Sequence, residues 1–245
     1  MWPKAVIADL AHYLREPMNE SANSYDIHPS EQLRKLFAEK PYQGTDPSKA
    51  KVLILGNDAN YSPEITRHDF FSRILEYHED SVKFWQDTGF HHPFVLPEYP
   101  YHKGKGGVPY HHNFRKLDFS VNDADKFSFV ELLNVPTIGN TGTNKGLFFR
   151  LLARDHLDWL EDLILDNNRK FVLVNQTLAR SIQSITKRTG RLGRLAKLLA
   201  NKRAPEIAYE SAQATIYNGY SFSASITNKY LDELGRTIRN FIRTD

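Results

Sequence analysis

The stretch Gly56-Asn57-Asp58-Ala59-Asn60-Tyr61-Ser62 sets one carboxylate among amides, a hydroxyl and an aromatic ring. A pocket that reads a flat heterocycle needs such a mixture, because amides carry both donors and acceptors and rings offer a face. Asp58 and its neighbour Asn57 are the candidate catalytic residues, with Tyr61 as a candidate substrate contact. Two further segments are chemically suggestive. Asn134 follows the apolar run Phe127 to Leu133, and Ser223 and Ser225 stand shortly before a helical pattern. Serine hydroxyls beside the unpaired N–H groups of a helix start can hold a phosphate. Each segment also has a plainer reading: Asp58, Ser225 or Thr227 as a helix cap, and Asn134 as a turn residue.

These residues need elements to position them. Val52-Leu53-Ile54-Leu55 reads as a buried strand, and Gly56 permits a sharp turn at its end. Asp58 would then stand at the carboxyl end of a strand, where open α/β sheets bind their ligands. Further strands are expected at Phe127–Leu133, Phe171–Val174 and Thr215–Ser221. Helical spacing runs through residues 4–15, and His28-Pro29-Ser30-Glu31 opens a helix with Leu33, Leu36 and Phe37 on one face. Other helices are expected from Ser62, over Asp80–Asp87, over Leu147–Leu165, from Leu178 and from Arg191. The closing helix starts at Thr227, with Tyr230, Leu234, Ile238 and Phe241 on one side. This alternation predicts an α/β fold, a three-layer sandwich with a central, mostly parallel four-stranded sheet and flanking helices. One domain over residues 1–245 is expected, with residues 1–45 as an N-terminal helical extension.

Composition narrows the chemistry. The 245 residues are 40% hydrophobic and 25% charged, as in soluble globular chains. There is no cysteine, which excludes disulfides, iron–sulfur clusters, cysteine-bound zinc and thiol nucleophiles. Asp9 interrupts the opening apolar run, and no run approaches the roughly 20 residues that span a bilayer. A cytoplasmic, monomeric protein without membrane contact is expected. Five histidines (His91, His92, His102, His111 and His112) cluster around the Gly- and Pro-rich loop Gly89–Pro109. None pairs at helical spacing beside an acid, so a binding loop is expected rather than a metal site.

Net charge is +3, but ten Lys and Arg residues and no acid lie between Asn167 and Pro205. Such a segment suits a polyanion, and Lys187, Arg188, Arg191 and Arg194 are its candidate DNA contacts. A solvated basic helix face is the plainer reading.

In order and spacing, the three loops resemble the uracil-DNA glycosylase superfamily. Its members carry a Gly-Gln-Asp-Pro-Tyr-like loop where this chain has residues 56–61. They have an Asn after a later apolar strand, matched by Asn134, and a His-Pro-Ser or Asn-Pro-Ser loop near the position of residues 221–225. The similarity covers roughly residues 50–240. It implies a base-excision hydrolase that needs no cofactor and cleaves the N-glycosidic bond of uracil or another deaminated base in DNA. Asp58 would stabilise the cationic sugar and orient water, Asn134 would read the base, Tyr61 would stack on it or floor the pocket, and Ser223 and Ser225 would hold a phosphate. The chain departs from the pattern at Ala59, at Asn60 where the tyrosine is expected, and at Ser221 or Phe222 where the histidine is expected. The missing histidine leaves a second reading open, a non-catalytic module on the same fold that binds nucleic acid or a nucleotide.

Overall fold

A computed structural model describes residues 25–101, 107–165 and 169–244. The helix expected over residues 4–15 and the histidine at 102 lie outside them. In chain order the first elements are β1 (Asp26–Ile27), α1 (Glu31–Glu39), β2 (Tyr42–Gly44), β3 (Val52–Gly56), α2 (Phe71–Glu79), α3 (Ser81–Thr88) and α4 (Val108–Arg115). They are followed by β4 (Phe127–Glu131), β5 (Thr137–Ile138), α5 (Lys145–Arg150), α6 (Arg154–Leu165), β6 (Lys170–Asn175) and α7 (Gln176–Thr189). The last are α8 (Gly193–Leu199), β7 (Glu206–Glu210), β8 (Ala214–Gly219) and α9 (Asn228–Arg243). Ser30 caps α1 and Thr227 caps α9, each through its side-chain oxygen.

The sheet has six strands in the order β2-β4-β3-β6-β8-β7, not four. The inner four are the parallel strands expected from the apolar runs. Antiparallel edges flank them: β2 beside β4, and β7 beside β8 with an irregularity between Ile207 and Tyr209. β2 is only Tyr-Gln-Gly, and it ends at Gly44 with φ of 92°. A side chain there would lie 2.4 Å from the Phe127 carbonyl oxygen, so the close approach of β2 to β4 needs glycine. The region expected to be a helical extension therefore contributes, over residues 25–45, one helix, one edge of the main sheet and β1, which pairs with β5.

Period-two alternation divides the core. Leu53, Leu55, Val130, Val172, Val174 and Ile216 pack against α6, α7 and α8. On the other face Val52, Ile54, Phe127, Phe129, Phe171 and Leu173 pack against α3, α4 and α9. Helices thus cover both sides, which is why the parallel strands are apolar at nearly every position. A third cluster joins α1, α2 and the loop residues Tyr61 and Phe94, and it walls the space beyond the carboxyl ends of β3 and β4.

Candidate active site

That space is a cavity of about 320 Å³, lined by Asp58, Asn57, Tyr61 and Ser223 among others. It falls near the lower end of small-molecule sites, about 300–1,000 Å³. Four of the expected site residues therefore meet in one place. Asp58 is held from the loop after β4: Thr137 Oγ1 donates to its Oδ2 at 2.6 Å, and Thr141 Oγ1 to its Oδ1 at 3.4 Å. Asn60 ties the two loops together by donating to the Gly139 carbonyl at 2.8 Å and to Thr137 Oγ1 at 3.2 Å. The buried Tyr25 hydroxyl lies close enough to feel the Asp58 charge but makes no hydrogen bond of ordinary geometry. Burial holds the Asp58 carboxyl above the usual carboxylate range, and the surrounding hydroxyl and amide donors oppose that rise.

Tyr61 is buried on the cavity wall. Its hydroxyl is hydrogen-bonded to His78 Nε2 at 2.6 Å, and its ring meets Phe94 edge-on at 5.5 Å. The tyrosine thus serves as wall, with its polar end already satisfied. Ser223 lies on the lining, whereas Ser225 is exposed and outside it. Neither serine caps the following helix, because Thr227 takes that role by accepting from the Tyr230 N–H. Asn113, from α4, holds the serine loop in place by donating to the Phe222 carbonyl at 2.7 Å.

Asn134 is the clearest departure. It is buried but absent from the cavity, and Glu131 lines the cavity in its place. Alternation explains this: Phe127, Phe129 and Glu131 share the face turned to α3 and α4, and the strand end delivers the acid there. The spacing Phe-x-Phe-x-Glu carries that signal in the sequence, but the run reads at first as uniformly apolar. Glu131 stands beside Gly56 in the parallel register. A side chain at position 56 would come within 1.8 Å of Glu131 Oε2. Gly56 has no left-handed backbone, so the glycine makes room for the carboxyl rather than a sharp turn. His156 Nε2 fixes the strand end at the Glu131 carbonyl, at 2.8 Å.

No protein-family model matches this chain, and neither a curated protein nor a solved structure does.

Burial, and then the nearby Asp58 charge, push the Glu131 carboxyl up to about 8. Three histidines stand nearby. His92 and His111 line the cavity and stack at 3.5 Å with an interplanar angle of 8°, and His91 Nε2 lies 3.1 Å from His111 Nδ1. Burial lowers all three, His111 to about 3, so they are neutral at ordinary pH. Among the described residues no group of three histidines or acids is placed to hold a metal ion. No described helix is long and apolar enough to cross a membrane.

The basic segment is placed elsewhere. Arg191 pairs with Asp158, and Arg194 with Asp162 at 2.5 Å and Glu161 at 3.4 Å. Arg188 lies over the Phe149 ring at 4.2 Å, and the buried Lys170 donates to the Ser48 and Ala50 carbonyls. Lys187 and Arg188 end the helix that begins at the cavity with Thr177, about 15 Å away at 1.5 Å per residue. The cavity that holds the expected catalytic pair thus lies at one end of α7, and two of the expected DNA contacts, Lys187 and Arg188, at the other.

Proposed function

We propose that this protein is an N-glycosyl hydrolase that admits an unstacked nucleobase to the cavity and cleaves its bond to the sugar. The reading follows the resemblance to the uracil-DNA glycosylases, with a uracil or other deaminated base in DNA as the substrate. The observation that carries it is Asp58, a carboxylate anchored by two threonines at the carboxyl end of β3 within an aromatic-lined cavity. Glycosidic cleavage builds cationic character on the sugar, and a fixed carboxylate stabilises that charge and orients the attacking water. Burial favours the protonated form of both cavity acids and takes Glu131 to about 8, while at Asp58 the surrounding donors oppose the rise and support the carboxylate that the reaction needs. Asn57 stands next to the carboxylate on the same wall, and the edge-on ring of Tyr61 bounds the slot.

Incubation with oligonucleotides containing uracil, hypoxanthine or another deaminated base tests this directly. Free base and alkali-labile strands are expected from the native protein and not from Asp58→Asn. Absence of release across the whole panel rejects the hydrolase.

The second reading is a binding module on the same fold. It is favoured by the serine loop, which has no histidine, and by a cavity lining that includes no lysine or arginine among the described residues. Oligonucleotide binding that falls with salt but leaves the strands alkali-stable would select it.

A further inference from the structure

We propose that Glu131 is the group that reads the substrate in this cavity, and that it takes a planar heterocycle edge presenting one donor beside one acceptor. The assignment rests on the reading of the cavity as a nucleobase slot.

The geometry comes first. The carboxyl lies across Gly56, in space that any larger residue would occupy, and it lines the cavity. Among the described residues it makes no hydrogen bond and no ion pair, and as a partly buried carboxyl it meets the cavity without a partner. Two other cavity residues carry buried polar atoms with no protein partner: Gln43 Nε2, on the neighbouring edge strand, and Asn57 Oδ1. Gln43 is paired with Phe129, one pleat from Glu131 on the same strand. Three residues with an unpaired polar group, from β2, β4 and the loop after β3, thus line the same cavity. Elsewhere on the lining Tyr61 and Asp58 are already hydrogen-bonded, and Thr177 and Ser223 add hydroxyls. Gln43 Nε2 and Asn57 Oδ1 are themselves closed off, so the Glu131 carboxyl is the member of this set that faces a ligand.

Protonation then sets the chemistry. The titratable groups on the surrounding elements are Asp58 after β3, Tyr61, Tyr77 on α2, His92, and Tyr110 and His111 on α4. The histidines are held neutral and the tyrosines stay protonated, so among the described residues of the lining no cation is present to ionise Glu131. Burial and the Asp58 charge both favour the neutral acid. A neutral carboxyl offers an O–H donor beside a C=O acceptor, which matches a ring N–H next to a carbonyl, or an amino group next to a ring nitrogen. An ionised carboxylate offers acceptors only and would select two adjacent donors, as on guanine.

Calorimetric titration of the intact protein with free uracil, hypoxanthine, adenine and guanine between pH 6 and 9 tests the assignment. At least one of the first three is expected to bind, with affinity falling about tenfold per pH unit once Glu131 ionises. Glu131→Gln should keep the affinity and lose that alkaline limb, because a carboxamide offers a donor and an acceptor at every pH. Glu131→Ala should weaken binding at least tenfold at pH 6. Failure of all four bases to bind, a preference for guanine that grows with pH, or the same limb in the Gln variant would overturn the proposal. Base binding with the limb but no base release from any oligonucleotide would remove the hydrolase and leave this assignment standing. Release with unchanged KM and pH profile in Glu131→Ala would do the reverse.

Discussion

The fold treats its acids in opposite ways at the carboxyl ends of the strands and on α6. Asp158, Glu161 and Asp162 on α6 meet arginines more than thirty residues away, and Glu161 also accepts from the Leu195 N–H at 2.9 Å. Among the described residues Asp58 is given hydroxyl and amide donors but no cation, and the Glu131 carboxyl is given no partner. Apart from the mostly buried Glu161, the first arrangement is half-exposed and quiet, since exposed pairs contribute about 0–1 kcal/mol each. The second places two carboxyls in one cavity, where burial raises both and donors oppose the rise only at Asp58. A dense run of charge in a sequence is therefore a poor guide to where the chemistry lies. An acid without a partner, inside a strand that otherwise reads as core, is a better one.

The largest expected effect is at Asp58. Replacing it by Asn keeps the shape and removes the charge, and base release should fall by about 10²–10⁴-fold with little change in thermal stability. The histidines provide the next test. His28 and His156 are lowered to about 4, His78 and His111 to about 3, and His91 and His92 well below the ordinary value, in each case mainly by burial. Their folded pKa values lie below the unfolded 6.5, so the unfolded chain binds more protons in acid. Stability present above pH 6.5 is then lost as the pH falls toward 3–4, at up to about 1.4 kcal/mol per unit for each group. Urea unfolding across pH 4–8 should show this loss, and a flat profile would mean that the histidines are not buried neutral.

Gly56→Ala separates the two treatments of charge within the cavity itself. Only the end of a flexible side chain must move, so stability should change by no more than about 1 kcal/mol. The alkaline limb of base binding assigned to Glu131 should nonetheless disappear. The smallest effects belong to the α6 side. Arg191→Ala and Arg194→Ala should each cost about 0–1 kcal/mol and leave base release from a short oligonucleotide unchanged. A large drop in release with either variant would mean that the basic segment serves the site after all.

The four inner strands could be read from the chain because strands covered on both faces must be apolar throughout, as in Val52-Leu53-Ile54-Leu55. The edge strands could not. Tyr42-Gln43-Gly44 is too short to show a pattern, and Glu206–Glu210 leaves Ile207 46% exposed. Asp58 was visible because a polar loop follows an apolar run. Thr137, Thr141 and Gln43 carry no local signal, since their importance depends on which loops meet across the sheet. Asn134 and Glu131 show the limit most sharply. They lie three residues apart, and only the face on which β4 ends and the bend that follows decide which of them reaches the cavity.

Local chemistry by itself determined that this chain alternates buried strands with amphipathic helices, lacks thiol chemistry and ends one strand beside a carboxylate. Those properties follow from side-chain type and short-range periodicity. Which acid keeps a proton, which arginines are neutralised and which amides stay unpaired were decided only by the tertiary structure. They depend on burial and on neighbours brought together from distant parts of the chain, which no local pattern encodes.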